Sequence, residues 1–215
     1  MILCTGPSLE RKQMLKENTE RDLRLIPFKK IFLSSNDPQN SDLIFAGKKP
    51  IWELIDERGK QIDCLNCILT TIKNAVNDPT CKDDDIILFK HESLYINDMH
   101  LVRKAVEKIL EGYDIVVRYW SPDKFYMTDA FFIKVSSARK IFQNHPQLTT
   151  FQEQQFCEEY FTSMIVSALP NVYSIPYSHF TRKDTELGLF HIPVAGEENW
   201  EGYWDKKNYH TLFKE

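Results

Sequence analysis

Glycine is scarce, with 7 residues in a chain of 215. No G-x-G-x-x-G follows an apolar run, no G-x-x-x-x-G-K-[ST] occurs, and there is no G-x-S-x-G. The chain therefore lacks the loops with which P-loop enzymes cradle phosphates, nicotinamide enzymes approach a pyrophosphate, and α/β-hydrolases expose a serine nucleophile. An excess of positive charge is missing as well: the formal net charge is −4. That leaves no electrostatic footprint for a nucleic-acid backbone or an anionic membrane surface. No apolar run is long enough to cross a bilayer, and "MILCTGPSLERKQ" reaches charged residues too soon for a signal-peptide core. The expectation is a soluble, intracellular or cytoplasmic protein with no integral membrane segment and no nucleic-acid partner. Cysteines are few and odd in number, 5 in all, which does not suit a secreted disulfide framework. Cys64 and Cys67 form a C-x-x-C followed by Cys81. A fourth zinc ligand and turn-forming residues are lacking, however, and "DCLNCILTTIKNAV" has the period of an amphipathic helix, so packing is their expected role.

What is present is a chain 42% hydrophobic and 27% charged, a balance that suits one globular domain with a sizeable core. The order of patterns is a strand in "MILCTG", a helix capped by Ser8 and running to about Leu25, and a strand in "KKIFLSS" ending at the turn formers "NDPQNSD". A weak strand "DLIFAG", a short helix "IWELIDE" and a helix over Ile62–Val76 come next. "DDIILFKH" then supplies a buried strand. "NDMHLVRKAVEKILEGY" puts Leu101, Val102, Ala105, Val106, Ile109 and Leu110 on one helical face and closes at Gly112. Strand "DIVVRYW", strand-to-helix "MTDAFFIKVSSARKIF", a long helix "TTFQEQQFCEEYFTSMIVSAL" and a last strand "NVYSIPYS" complete a core of about residues 1–180. Residues 181–215 show no clear period and are expected to fold over a site. Strands alternating with helices predict a three-layer α/β/α domain with a mostly parallel central sheet. Ligands of such sheets bind at the carboxyl ends of the strands. Here those ends are "TGPS", "SSNDP", "KHES" and the turn "WSPDKFYMTD".

The order of "KKIFLSSND", "DDDIILFKHESLYI" and "YMTDAFFIKVSSARKIF" resembles the GT-A class of nucleotide-sugar-dependent glycosyltransferases over roughly residues 1–180. In that class the strand matching "DIILF" is followed by a D-x-D motif whose carboxylates hold a divalent metal against the donor diphosphate. Here His91, Glu92 and Ser93 stand at that position, leaving one carboxylate beside a histidine. The resemblance implies Glu92 and His91 as ligands to Mn²⁺ or Mg²⁺, with His191 of the tail as a third, since a Gly (Gly196) and a Trp (Trp200) follow it much as they follow the closing histidine of some members. Without a metal, Lys90 or a tail arginine would neutralise the diphosphate. A solvated turn is the ordinary fate of such strand ends.

The same resemblance makes Thr5, Gly6, Pro7, Asn36 and Asp37 donor contacts around base and ribose, against an Asx turn before Pro38 for the last two. Arg182 and Lys183 become diphosphate contacts. Asp129, a carboxylate before a buried strand, is costly there unless paired or used. Glu153, opening a helix, is the candidate base that takes the acceptor's proton if the reaction inverts, although an acid in a first turn also suits the helix dipole. Glu158 and Glu159 lie deeper and read as solvated helix acids. The expected activity is transfer of a sugar from a nucleotide-diphosphate sugar to a hydroxyl of a carbohydrate or glycoconjugate, as in glycan biosynthesis. Two alternatives stand beside it. A sugar nucleotidyltransferase would carry a Gly-rich basic loop where "TGPSLERKQ" has one glycine, and a non-catalytic nucleotide or sugar-binding module would fit the degenerate metal motif.

Overall fold

The computed structural model describes residues 2–4, 9–57, 60–92, 94–96, 99–120, 125–145, 165–177, 183–184 and 189–191. The order of elements is β1 (Ile2–Cys4), α1 (Leu9–Leu25), β2 (Phe32–Ser35), a short 3₁₀ helix (Pro38–Asp42), β3 (Ile51–Leu54), α2 (Lys60–Asn77), β4 (Ile86–His91), β5 (Leu94–Ile96), α3 (His100–Leu110), β6 (Ile115–Trp120), β7 (Phe125–Lys134), α4 (Val135–Asn144), β8 (Val172–Tyr177), β9 (Lys183–Asp184) and β10 (Leu189–His191). Seven strands form the main sheet in the order β3-β2-β1-β4-β7-β6-β8, and β5, β10 and β9 form a second, smaller one. Within the main sheet β7 alone runs antiparallel to its neighbours.

Alternation along the central strands sorts the core into two layers, as a period of two requires. Ile87 and Phe89 of β4, Ile115 and Val117 of β6, and Phe131 and Ile133 of β7 pack with α2 and α4 on one face. Leu88, Val116, Ala130 and Phe132 pack with Val102, Ala105 and Ile109 of α3 on the other. Leu15 of α1 covers Ile31 and Leu33 beside them. Each fully buried side chain of this kind contributes roughly 1.5–3 kcal/mol by leaving water. The three-layer α/β/α architecture with a mostly parallel sheet is the one expected. α3 ends as its sequence requires: Gly112 takes φ 108, the left-handed region, while its N–H and that of Tyr113 bond back to the carbonyls of Ile109 and Lys108.

Three local expectations are corrected. "DLIFAG" is not a strand; Phe45 and Lys48 exchange two 2.9 Å backbone hydrogen bonds around Ala46 (φ 47) and Gly47 (φ 80), a two-residue turn with both central residues left-handed. "IWEL" is not helical but forms edge strand β3 on β2. The open edge of β2 offers backbone partners that an isolated short helix does not have, and Pro50 precedes the first paired residue, where no donor is lost. Leu110 is not part of the buried α3 stripe; it is 78% exposed, because the sheet covers the stripe at Val102, Ala105 and Ile109 and Leu110 is turned about 100° round the helix from Ile109. The long helix expected over residues 149–169 lies outside the described residues except for its end, where Ile165, Val166 and Leu169 join the core. Cys67 is buried and Cys64 and Cys81 pack against the same cluster. Among the described residues no three His, Cys, Asp or Glu side chains gather in a way that could hold a metal ion.

Candidate functional site

The carboxyl ends of β1, β2 and β4 share one edge of the sheet. Antiparallel β7 brings its first half to that edge. Its pairing with β4 runs from Ile86–Lys134 to Lys90–Ala130, and one further step sets Asp129 across from His91. Next to this point the β6–β7 register breaks, passing from Val117–Phe131 to Tyr119–Tyr126. On the β6 side, residues 127–130 thus stand against the single residue Arg118. Bulges of this kind re-aim strands beside functional sites. β10 closes the corner, pairing antiparallel with β5 so that His191 faces Leu94, two residues beyond Glu92. Asp129 is therefore the β7 residue next to the pair formed with the end of β4, while His191 pairs with Leu94 in the second sheet.

Helix α1 holds this corner through polar residues that the sequence reading missed. The Arg11 guanidinium donates to the Glu92 carboxylate as an ion pair, and Glu92 is only 1% exposed. Asn18 Nδ2 donates to the Glu92 carbonyl at 2.7 Å. Asp22 Oδ1 accepts from the Ile96 N–H at 2.7 Å. Arg21 lies over the Tyr95 ring, 4.0 Å from its centroid. Arg11, Asn18 and Asp22 are spaced seven and four apart and so share one helical face. That spacing was legible as a polar stripe, but nothing local says what it meets.

Lys90 does not make the donor contact expected of it. Its side chain and that of Asp22 are fully buried, with Nζ 2.9 Å from Asp22 Oδ2. Nζ also donates to the Leu94 carbonyl. Lys90 is thus a clamp beneath the segment from Glu92 to Ile96. His91 and Glu92 do not converge either. Consecutive strand residues point to opposite faces. His91 packs edge to face on Phe89, centroids 5.6 Å apart, in the α2/α4 layer. Glu92 meets Arg11 and Asn18 on the α1 side.

At the end of β2, Asp37 caps the 3₁₀ helix by accepting from Gln39 N–H at 2.9 Å, the Asx turn weighed for it. Asn36 Nδ2 donates to Asp63 Oδ2 of α2 at 2.9 Å. Asn40 is buried and donates to Ser35 Oγ at 2.8 Å. Asp129, Lys183 and His191 fall in β7, β9 and β10. Thr5, Gly6, Pro7, Glu153 and Arg182 lie outside the described residues.

The three acids that open β4 belong to the opposite edge. Asp83 pairs with Arg139, Asp84 with Lys134 at 2.9 Å, and Asp85 with Lys29 at 2.9 Å. The hydrogen bond from Lys29 holds the Asp85 carboxyl below its usual range, and the same contact raises the Lys29 ammonium. Asp78 nearby accepts from Lys30 at 2.6 Å and from the Thr80 hydroxyl and N–H at 2.7 and 2.8 Å. Those bonds, Lys30 first, lower its pKa to about 2.

The metal expected from the resemblance is poorly matched by the described residues. Hexacoordinate Mg²⁺ or Mn²⁺ needs several hard oxygen ligands. At the motif position the described residues offer one carboxylate, Glu92, which is already paired with Arg11, and the adjacent histidine lies on the other face of the strand.

No protein-family model matches the chain, and no curated protein matches it. Solved structures do. A 4-diphosphocytidyl-2C-methyl-D-erythritol synthase from Anaerococcus prevotii is 8% identical, with 95% of this chain and 97% of that one covered at a TM-score of 0.56. A glycosyltransferase involved in glycosylation of the major capsid of PBCV-1 is 10% identical, covering 94% and 98% at 0.52. The chain spans 46% of the length of the bifunctional IspDF of Campylobacter jejuni, 14% identical over 86% of this chain at 0.47. The fold is that of the nucleotide-diphospho-sugar transferases, GT-A-like, as the sequence order led one to expect. No helix among the described residues is long and apolar enough to cross a membrane.

Proposed function

We propose that the chain is a glycosyltransferase that moves a sugar from a nucleotide-diphosphate sugar to a hydroxyl of a carbohydrate or glycoconjugate. The observation that carries this is the convergence, at the carboxyl edge of a GT-A-like sheet, of the ends of β1, β2 and β4 with Asp129 on a bulged antiparallel strand. In the reaction the bond between the anomeric carbon and the diphosphate oxygen breaks, and the diphosphate leaves with the electron pair. A bond from the acceptor oxygen to the anomeric carbon forms, and the acceptor's proton passes to a carboxylate, Asp129 or Glu153. Positioning and stabilisation of charge on the leaving diphosphate supply most of the acceleration. Asn36 and Asp37 at the end of β2, and Thr5 to Pro7 after β1, are the proposed donor contacts, with Arg182 and Lys183 from the C-terminal segment.

A nucleotidyltransferase is the second reading, favoured by the synthase from Anaerococcus prevotii that aligns along its length. The single glycine of "TGPSLERKQ" weighs against it. Both are tested together. Purified protein is given a panel of nucleotide-diphosphate sugars and released nucleoside diphosphate is measured. In parallel it is given nucleoside triphosphates with sugar 1-phosphates and pyrophosphate is measured. Diphosphate release stimulated by an acceptor glycan supports the transferase. Pyrophosphate release alone replaces it with the second reading. Tight nucleotide binding without turnover leaves a binding module.

A further inference from the structure

We infer that the outer edge of β3 pairs antiparallel with β3 of a second copy of this chain, in the register that sets Glu53 opposite Glu53 on a two-fold axis. β3 is the outermost strand of the main sheet. Its inner side is taken by β2: the Ile51 N–H bonds to the Ile31 carbonyl at 2.8 Å, and the Ile55 N–H to the Ser35 carbonyl at 3.0 Å. Alternation then turns the N–H and C=O groups of Trp52 and Leu54 outward, away from β2. A row of backbone groups of this kind is a template for another strand. Apolar surface gathers at the same place. Of the six large exposed hydrophobics among the described residues, Ile44, Ile51 and Leu54 all lie in this one stretch of chain, and such clustering marks a surface that meets a partner.

The pattern of the edge is what selects a second copy. A two-fold axis normal to the sheet keeps each face on its own side, and opposed residues of a ladder share a face, so a residue can oppose only one of its own parity. Among those registers, the one centred on Glu53 sets Trp52 opposite Leu54 and Ile51 opposite Ile55, each pair occurring twice. Trp52 and Leu54 then exchange backbone hydrogen bonds, and apolar side chains meet on both faces. The registers centred on Trp52 or on Leu54 instead oppose Glu53 to Ile51 or to Ile55. Continued outward, the favoured register brings Lys49 opposite Glu57. Both are exposed, and neither is held by another side chain among the described residues. A lysine beside an edge ordinarily deters pairing; here the same chain supplies its counter-charge. The two Glu53 side chains at the axis are each drawn onto α2 by the Asn74 amide. Because strand direction reverses across the axis, the carboxyl edges of the two sheets face opposite ways and each remains open. The inference does not depend on the reaction proposed for that edge.

The test is analytical ultracentrifugation of the full chain over a concentration series, with far-ultraviolet circular dichroism to check that each variant is folded. The expected result is a monomer–dimer equilibrium. Leu54→Lys, at an exposed position, shifts it to monomer. Lys49→Glu or Glu57→Lys alone sets like charges opposite one another twice and weakens the dimer by about tenfold, while Lys49→Glu with Glu57→Lys restores it. The register has its own readout. Glu53→Cys gives a disulfide-linked dimer on mild oxidation that the unsubstituted chain does not give, since a non-hydrogen-bonded pair brings its Cα atoms to about 4.5 Å. Leu54→Cys does not, because its two copies stand two residues apart along the ladder, beyond the disulfide limit of about 7 Å. A chain that stays monomeric at every concentration overturns the inference and leaves the edge to a strand of another protein. A dimer indifferent to Leu54→Lys and to the charge reversals overturns it as well, and places the contact elsewhere.

Discussion

Lys90 Nζ lies 2.9 Å from Asp22 Oδ2, and neither side chain is exposed to solvent. The pair ties helix α1 to the end of β4 and, through the Leu94 carbonyl and the Ile96 N–H, to strand β5. Removing one charge leaves the other buried without compensation. Lys90→Met alone is therefore expected to cost about 3–5 kcal/mol, whereas Asp22→Leu with Lys90→Met returns most of it. Urea denaturation of the two variants measures the difference; equal losses would show that the pair is not a unit.

The turn at Ala46-Gly47 holds a non-glycine residue at φ 47. Asparagine tolerates that region better than alanine and precedes glycine in the favoured two-residue turns. Ala46→Asn should raise stability by up to about 1 kcal/mol, read as a higher denaturation midpoint with an unchanged slope.

Asp78 makes the stability of the fold depend on pH. Its pKa in the folded chain is lowered to about 2 from an ordinary 3.8. The unfolded chain therefore takes up the proton first as pH falls. The stabilisation is fully present above about pH 4 and is lost progressively toward pH 2. Asp78→Asn should remove this part of the acid sensitivity, seen as a shallower fall of melting temperature between those pH values.

If Asp129 is the acceptor-side base, Asp129→Asn should lower transfer by roughly 10²–10⁴-fold while nucleoside diphosphate affinity stays unchanged. The same loss in Glu153→Gln, with Asp129→Asn nearly active, would reassign the role.

Much of the fold was legible because it rests on local period. The β4 run from Ile86 to Phe89 is apolar on both faces, as a central strand must be, and the α3 stripe of Val102, Ala105 and Ile109 ends at the glycine that its C-terminus needs. β3 escaped because it is an edge strand with Ile51 and Leu54 exposed at 40% and 49%. It buries too little to show an alternating signal, and its backbone pairing depends on a neighbour far from any local rule. The antiparallel sense of β7 was hidden for a similar reason, since a strand's pattern is the same in either direction.

The site divides along the same line. The sequence by itself determined an α/β chain with "TGPS", "SSNDP" and "KHES" at strand ends, because alternation and turn chemistry are properties of neighbouring residues. Only the tertiary structure decided that Lys90 turns inward to Asp22, that His91 and Glu92 part to opposite faces, and that Arg11 rather than a second acid meets Glu92. Those outcomes depend on which helix covers which face of β4 and on the charge that helix brings, and Arg11 stands 81 residues away along the chain.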